Sequence, residues 1–349
     1  MQKMDKLEIN NLTLGELQGI LQQDQIPRFR AAQIFRWIHK NGVNNPWEMT
    51  NIPQTLKNYI NERFYFTVLE LVTKQVSRDG TVKYLFRLND GCTIESVLIP
   101  EQTRVTICVS SQVGCAMGCT FCATGSAGFE RDLTAGEISR QIELISAESD
   151  GITNVVFMGM GEPLHNYRSV LQAVEIMNCS EGMNLGLRRF TISTCGIVPR
   201  IYQLADENDQ IGLAVSLHAA DDAKRKSIMP IAGRYSLAEL MAACRYYCDQ
   251  TKRRITFEYA LIQGFNDGLS DAKALVELLA GLNCHVNLIP INPVQVQYKR
   301  PRQQVTKEFM NYLVQHQIPA SIRRERGTDI DAACGQLKQA TREDLNEDS

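Results

Sequence analysis

The feature that most constrains the fold is a regular alternation of strand-like and helix-like segments from about residue 105 onward. Short runs rich in β-branched residues are each followed by a longer stretch with helical periodicity. This alternation predicts a parallel sheet with right-handed crossovers. Six or so repeats fit an incomplete barrel better than a closed eight-stranded one, so the predicted fold class is α/β with a partial (β/α)6 barrel. The predicted strands are Val105–Val109, Asn154–Met158, Phe190–Ser193, Gly212–Leu217, Ile255–Ala260, Val286–Ile291 and Ala320–Arg323. The predicted helices include Thr134–Ala147, Ser169–Asn178, Ser236–Asp249 and Ser270–Ala280.

Two smaller regions are predicted before the barrel. Residues 1–66 predict a small helical domain, because a capping box at Thr13 and Glu16 precedes an apolar periodic run. Its second predicted helix offers basic residues on the exposed side, so the domain is either RNA-binding or an amphipathic bundle that packs on the main domain. These basic residues are Arg28, Arg30, Arg36 and Lys40. Residues 67–104 predict an antiparallel β extension with Asp-Gly hairpin turns. Its predicted strands are Phe66–Val72, Val82–Leu88 and Thr93–Ile99, with turns at Asp79-Gly80 and Asp90-Gly91. The barrel is assigned to residues 105–336, and residues 337–349 are predicted to be a disordered acidic tail.

Composition excludes several classes of protein. A chain of 349 residues with 44% hydrophobic and 22% charged residues is ordinary for a soluble globular protein. Neither a signal peptide nor an apolar run long enough for a membrane span is evident. The 11 cysteines have irregular spacing, which argues against a secreted disulfide framework. We therefore expect a cytoplasmic protein with no membrane association.

Basic residues cluster locally although the net charge is only −2. Most such clusters are solvated faces, and that is the default interpretation of each. Together they would form a phosphate-binding rim only if they shared one face. The clusters are Arg188-Arg189, Lys224-Arg225-Lys226, Lys252-Arg253-Arg254, Lys299-Arg300 with Arg302, and Arg323-Arg324 with Arg326.

Cys115, Cys119 and Cys122 form a C-x3-C-x2-C motif, which supplies three thiolates on one tight loop. A structural zinc site requires four ligands, and a cubane iron–sulfur cluster takes one ligand for each iron. Three cysteines therefore leave one iron open to chelate S-adenosylmethionine. This motif resembles that of the radical S-adenosylmethionine (SAM) superfamily. The alternatives are a zinc site completed by Cys108 or His218, or unrelated buried thiols.

Polar residues follow several predicted strands, where a barrel carries its chemistry. Gly161 and Glu162 lie in Met158-Gly159-Met160-Gly161-Glu162-Pro163, which is similar to the Gly-Gly-Glu-Pro turn that binds the methionine amine in radical SAM enzymes. Each residue alone is more often structural, but several at one barrel mouth predict a ligand site. The predicted SAM contacts are Gly161, Glu162, Ser193, Ser216, Leu217, His218 and Asn292.

The segment Arg323–Leu337 contains Cys334 among small residues, which on spacing alone favours a buried turn. The chain nevertheless resembles the RlmN family of ribosomal and transfer RNA adenine-C2 methyltransferases over nearly its whole length. The segments that carry this resemblance are Ser110–Cys115, Phe157–Pro163, Ser193–Gly196, Ser216–His218 and Asp329–Leu337.

The resemblance implies a radical mechanism with three further residues. Cys334 corresponds to the family cysteine that is methylated by one SAM, while a second SAM is cleaved at a [4Fe–4S] cluster on Cys115, Cys119 and Cys122. The resulting 5′-deoxyadenosyl radical activates the S-methyl group, which then adds to adenine. Cys108 corresponds to the cysteine that releases the product through a transient disulfide with Cys334. Glu95 corresponds to the proton acceptor.

The resemblance also implies partners and substrates. The substrates would be adenine 2503 of 23S rRNA and adenine 37 of tRNAs, and a flavodoxin or ferredoxin would supply electrons to a monomeric enzyme. Because C2 is inaccessible in a stacked helix, the base would be extruded into the barrel. Two alternatives remain: a Cfr-type adenine-C8 methyltransferase and a non-catalytic iron–sulfur RNA-binding protein.

Overall fold

The N-terminal unit of the computed structural model is built from three helices. The structure describes residues 6–149, 151–292, 298–333 and 335–337. The predicted capping box is confirmed: the Glu16 N–H donates to Thr13 Oγ1 (3.3 Å), and the Thr13 N–H donates to the Glu16 carboxylate (2.8 Å). The elements are β1 (Leu7–Glu8), α1 (Leu14–Gln23), α2 (Phe29–His39), α3 (Gln54–Arg63) and β2 (Phe64–Tyr65), and β1 pairs in parallel with β2.

An antiparallel extension follows, with the strands β3 (Glu70–Val76), β4 (Val82–Arg87) and β5 (Thr93–Pro100). Both Asp-Gly turns lie where predicted, with Gly80 at φ +85° and Gly91 at φ +88°.

The predicted start of the first strand at Phe66 is wrong. Residues 66–69 do not pair with β4: the Thr67 N–H donates to Asn10 Oδ1 of the N-terminal unit (2.9 Å), and the Val68 N–H donates to Asn89 Oδ1 (3.3 Å). A backbone N–H that is bonded to a side chain cannot also pair with a neighbouring strand, so β3 begins at Glu70.

Seven parallel strands form the barrel among the described residues, in the order β6-β9-β10-β11-β12-β13-β14. The predicted partial barrel is confirmed, and β6 also pairs antiparallel with β5, so the extension continues the same sheet. The strands are β6 (Val105–Cys108), β7 (Gln112–Gly114), β8 (Phe129–Asp132), β9 (Asn154–Phe157), β10 (Phe190–Thr194), β11 (Gly212–Ser216), β12 (Ile255–Leu261), β13 (Cys284–Pro290) and β14 (Ala320–Ile322), with β7 and β8 forming a separate hairpin. The helices are α4 (Ala123–Ala127), α5 (Ala135–Ala147), α6 (Tyr167–Asn178), α7 (Val198–Glu207), α8 (Asp222–Ile228), α9 (Leu237–Thr251), α10 (Leu269–Leu279) and α11 (Gln303–Gln315).

The barrel strands alternate between two kinds of residue. In β12, the fully buried Phe257 and Tyr259 belong to the hydrophobic core, while Thr256 and Glu258 line a cavity inside the barrel. Successive residues of a strand point to opposite faces, so this alternation places polar side chains in the lumen. No helix within the described ranges has the length and apolar character needed to cross a bilayer.

Candidate active site

The three-cysteine loop connects β7 to α4 and turns back tightly on the β7–β8 hairpin. The Cys115 N–H donates to the Gly128 carbonyl (2.6 Å), and the Cys122 N–H donates to the Cys119 carbonyl (3.2 Å). Gly114 has φ +73°, and a Cβ there would lie 2.1 Å from the Gly128 oxygen, so the turn requires glycine.

All three thiols of the motif line one cavity of about 170 Å³. Burial raises the pKa of Cys115 to about 12. Burial is also the main cause of the raised pKa of Cys119, and the negative charge of the Cys122 thiolate raises it further. Within the described residues, no three Cys, His, Asp or Glu side chains are grouped as a site for a single metal ion. Cys195, which the motif does not include, lines the same cavity.

The strand ends contribute the opposite wall of this cavity. Six of the seven predicted SAM contacts line it: Gly161, Glu162, Ser193, Ser216, His218 and Asn292. Leu217 does not line it; its side chain is fully buried in the core, its N–H donates to the Glu258 carbonyl (3.0 Å), and its carbonyl accepts from Arg225 Nε (3.1 Å).

The Glu162 carboxylate lines the cavity and also accepts hydrogen bonds from two neighbouring segments. It accepts from the Leu164 N–H (3.0 Å) and from the Cys195 N–H (2.7 Å). Burial raises the pKa of Glu162, against these hydrogen bonds. A carboxylate oxygen has more than one acceptor position, so both contacts leave acceptor capacity for a ligand.

His218 is a neutral hydrogen-bond donor toward the cavity. Its Nδ1 accepts from the Ala260 N–H (2.9 Å), which leaves the proton on Nε2. Burial, with a smaller contribution from the positive charge of Arg225, lowers the pKa of His218 to about 3. The ring packs edge-on against Phe121 of the cysteine loop, with centroids 4.7 Å apart.

Two residues that support this wall were not predicted from the sequence. Arg225 is fully buried rather than part of a solvated basic cluster, and it donates to the carbonyls of Leu217, Ser216 and Cys195. The Asn266 side chain donates to the carbonyls of His218 and Ala260 (both 2.7 Å). The sequence signal for the burial of Arg225 was its spacing from Ile228. Residues three apart lie on the same face of a helix, and Ile228 lies on the buried face of α8.

A second cavity of about 450 Å³ occupies the barrel lumen and is lined by Cys108. In the sheet register Cys108 lies opposite Val97, which shares a strand face with Glu95. Glu95 is buried and forms an ion pair with Lys83 (3.1 Å). Cys108 and Glu95 thus lie on the same face of neighbouring strands.

The two cavities adjoin, and Glu258 and Arg323 are among the residues that line both. Glu258 accepts from Asn287 Nδ2 (2.9 Å), and Arg323 Nη1 lies 3.7 Å from its carboxylate. Burial raises the pKa of Glu258, and the positive charge of Arg323 opposes this. Arg323 therefore lies inside the barrel and not on a surface rim. The available sequence signal was a charged residue, Glu258, within the mostly apolar and aromatic strand β12.

The C-terminal segment passes between the two cavities. Ala332 and Ala333 line the lumen cavity with Cys108, and Gly335 lines the cavity of the cysteine loop. The Ala123 N–H donates to the Gly335 carbonyl (2.8 Å), and Thr124 Oγ1 donates to the Leu337 carbonyl (2.6 Å). Cys334 lies outside the described residues.

The N-terminal unit and the barrel each match a known family. Residues 7–66 match the ribosomal RNA large subunit methyltransferase N-terminal domain, and residues 109–279 match the radical SAM superfamily. A probable dual-specificity RNA methyltransferase RlmN from Clostridium novyi is 47% identical over 334 residues, covering 95% of this chain and 97% of that protein. A relative of the same name from Staphylococcus carnosus is 46% identical over 345 residues, covering 97% of this chain and 94% of that protein. The chain belongs to the RlmN family.

Structural similarity agrees with this assignment to the RlmN family. The crystal structure of a radical SAM methyltransferase from Sphaerobacter thermophilus matches with a TM-score of 0.91 and 47% identity, covering 95% of this chain and 99% of that chain. The chain is therefore a radical SAM methyltransferase, and its cofactors are a [4Fe–4S] cluster and SAM. The structure fits the cluster, because three half-buried thiols share one cavity and a bound cluster would supply the positive charge that favours their thiolates.

Replacing Gly161 with alanine is expected to weaken SAM binding. Gly161 has φ +102°, and an added Cβ would lie 2.6 Å from Gln112 Cβ, so the turn must shift at a cost of roughly 1–3 kcal/mol. Equilibrium dialysis would measure the affinity for SAM, and thermal unfolding would measure the loss of stability caused by the strained turn. Gly186→Ala is the control, because nothing lies within 4 Å of a Cβ there. Unchanged SAM affinity in Gly161→Ala would contradict this prediction.

His218 is expected to make stability fall in acid. The folded-state pKa of His218 is about 3, below the usual 6.5, so below pH 6.5 the unfolded chain binds a proton that the folded chain does not. Above pH 6.5, His218 does not reduce the free energy of unfolding. As the pH drops from 6.5 toward 3, the free energy of unfolding falls by about 1.4 kcal/mol per pH unit because of this histidine. Urea unfolding at pH 7 and pH 5 would measure this. His218→Asn, which tolerates the φ of +60°, should show a shallower loss; an equal loss would contradict the prediction.

Proposed function

We propose that the enzyme methylates C2 of adenine 2503 in 23S rRNA and of adenine 37 in tRNAs. The observation that carries this proposal is the path of the C-terminal segment. The described neighbours of Cys334 line both the cavity of the cysteine loop and the lumen cavity that contains Cys108. A covalent methyl-transfer route requires a thiol that can reach both the methyl donor SAM and a second thiol, here Cys108.

Cys115, Cys119 and Cys122 would hold the cluster, and SAM would occupy the adjoining cavity. There Ser193, Ser216 and Asn292 offer polar groups, His218 offers an Nε2–H donor, and Glu162 offers a carboxylate toward the methionine amine. Gly161 allows close approach of the backbone. When bound, the cluster and SAM supply a 5′-deoxyadenosyl radical, with one SAM used in this way and a second as the methyl donor in each turnover.

Cys334 would carry the methyl group and then the RNA, because adenine C2 is not nucleophilic enough for direct transfer from a sulfonium. Glu95 would accept the C2 proton. Its position on the same sheet face as Cys108 supports this role, since a base must lie near the atom it deprotonates. The Cys108 thiolate would then attack the Cys334 sulfur: the sulfur–sulfur bond would form, the carbon–sulfur bond would break, and the transferred carbon would leave with the electron pair of that bond and take up a proton to become the methyl group.

Partners follow from the same chemistry. We propose a flavodoxin or ferredoxin as the electron donor, a monomeric enzyme, and a cytoplasmic location with its RNA substrates. Arg28 and Lys40, which are exposed at the two ends of α2, would contribute phosphate contacts, whereas Arg36 pairs with Glu181 of the barrel domain.

The test is nucleoside analysis of RNA after reaction. Unmodified 23S rRNA and tRNA are incubated anaerobically with reconstituted enzyme, reductant and SAM, then digested to nucleosides. 2-Methyladenosine from both RNAs supports the proposal. 8-Methyladenosine would instead indicate the Cfr-type reaction, and product from only one RNA would contradict dual specificity.

A further inference from the structure

The tip of the β3–β4 hairpin binds the C-terminal segment just before Cys334. Ser77 Oγ donates to Asp329 Oδ1 (2.6 Å), and the Arg78 N–H donates to Asp329 Oδ2 (3.3 Å). In the opposite direction, the Gly327 N–H donates to Asp79 Oδ2 (3.1 Å). These bonds join parts of the chain about 250 residues apart.

The contact is closely packed as well as hydrogen-bonded. Gly327 has φ +61°, and a Cβ there would lie 2.9 Å from Thr81 Cγ2 and 2.7 Å from Ala332 Cβ. Ser77 and Thr81 are buried. The hydrogen bond from Ser77 is the largest of the interactions that lower the pKa of Asp329, so this carboxylate is ionised at neutral pH.

A second anchor lies on the other side of Cys334. The backbone of Gly335 and Leu337 is bound by Ala123 and Thr124, which begin α4 directly after Cys122. The described residues before Cys334 are therefore bound by the antiparallel extension, and those after it are bound by the cysteine loop.

We propose that the hairpin tip positions Cys334, with Ser77 and Asp79 fixing the 3-10 turn Thr328–Ile330 so that the thiol is delivered to Cys108. Both are positioning residues, because they act through the C-terminal segment. This inference rests on the proposed function, in which Cys108 and Cys334 form a disulfide.

Disulfide exchange with glutathione measures this positioning directly. Oxidised glutathione accepts two electrons and the two protons of the thiols, the Cys108–Cys334 bond forms, and two molecules of reduced glutathione are released. The equilibrium constant reports the effective concentration of one thiol at the other. Loosening an anchor lowers that concentration without changing either thiol.

The experiment uses full-length, cluster-loaded enzyme equilibrated anaerobically in glutathione buffers, alkylated, and analysed by peptide mass spectrometry. Ser77→Ala should lower the equilibrium constant roughly tenfold, the effect of losing one hydrogen bond to a charged group. Asp329→Ala should lower it at least as much, because it loses the bonds from both Ser77 and the Arg78 N–H. The double variant should fall little below Asp329→Ala, because the bond between the two side chains is already broken there. Iron content and the thermal midpoint should stay near those of the unmodified enzyme.

The two hairpin turns provide a matched control. Asp79 Oδ1 accepts from the Thr81 N–H (2.9 Å), and Asp90 Oδ1 accepts from the Cys92 N–H (3.0 Å), but Asp90 pairs with Arg131 and not with the C-terminal segment. Asp79→Ala should lower the equilibrium constant, and Asp90→Ala should leave it unchanged.

Two contrary results are distinguishable. If the unmodified enzyme forms the disulfide and the Ser77 and Asp329 variants form it equally well, the positioning role is overturned and the proposed function stands. If the unmodified enzyme forms no Cys108–Cys334 disulfide at any glutathione ratio, both the positioning role and the proposed release step are overturned.

Discussion

Replacing Cys108 with alanine is expected to trap the enzyme as a covalent complex with its RNA. In the proposed reaction the Cys108 thiolate attacks the Cys334 sulfur and breaks the bond from that sulfur to the transferred carbon. Without this thiol the carbon–sulfur bond persists, so each enzyme molecule binds one RNA and turnover stops. Denaturing gel electrophoresis with labelled RNA would reveal the adduct, and multiple-turnover product should fall by at least about 100-fold, in line with the loss of an essential catalytic group.

A matched control is available on the same sheet. Cys284 is also a buried strand cysteine, at the start of β13, and it lies outside the residues that line either cavity. Cys284→Ala should therefore release its RNA normally. Turnover by Cys108→Ala at the rate of the Cys284 variant, with no adduct, would assign product release to another group.

Replacing Cys119 with alanine is expected to abolish cluster binding. A cluster held by three thiolates loses one iron ligand, and the remaining two half-buried thiols give no stable site. Iron and sulfide analysis after anaerobic reconstitution should show a loss of most of the bound metal, and the variant should form no 5′-deoxyadenosine from SAM.

Cys195 provides the control for this experiment, because it lines the same cavity as the three motif cysteines but lies outside the motif. Cys195→Ala preserves the hydrogen bond from the backbone N–H to the Glu162 carboxylate (2.7 Å) and removes only the hydrogen bond of the thiol to the same carboxylate. We expect this variant to retain its iron. Equal loss of iron from the Cys119 and Cys195 variants would show that the cluster has four protein ligands and no open iron.

Much of the fold could be predicted because its signals are local. The alternation of β12 with α10 and β13, and the capping box at Thr13, depend only on residues near each other in the chain. The exception was the start of β3, where Thr67 bonds to Asn10 of another unit. Asn10 lies 57 residues from Thr67 along the chain, so the local sequence pattern does not indicate this hydrogen bond.

Side-chain burial was predicted less well, because it depends on which faces pack together. Arg225 and Arg323 each belong to a basic cluster in the sequence, yet Arg225 supports the strand ends and Arg323 lies in the lumen. A basic pattern predicts charge but not the direction in which the side chain points.

The sequence by itself determined the chemistry available to this protein: a three-thiol loop, polar strand ends, and a partial barrel to carry them. Those features are encoded in short spacings and in strand–helix alternation. Only the tertiary structure decided how distant residues combine, as when Ser77 binds Asp329 from 252 residues away and the described neighbours of Cys334 line two cavities. The physical reason is that hydrogen bonds and packing act over a few ångströms in space, whatever the separation along the chain.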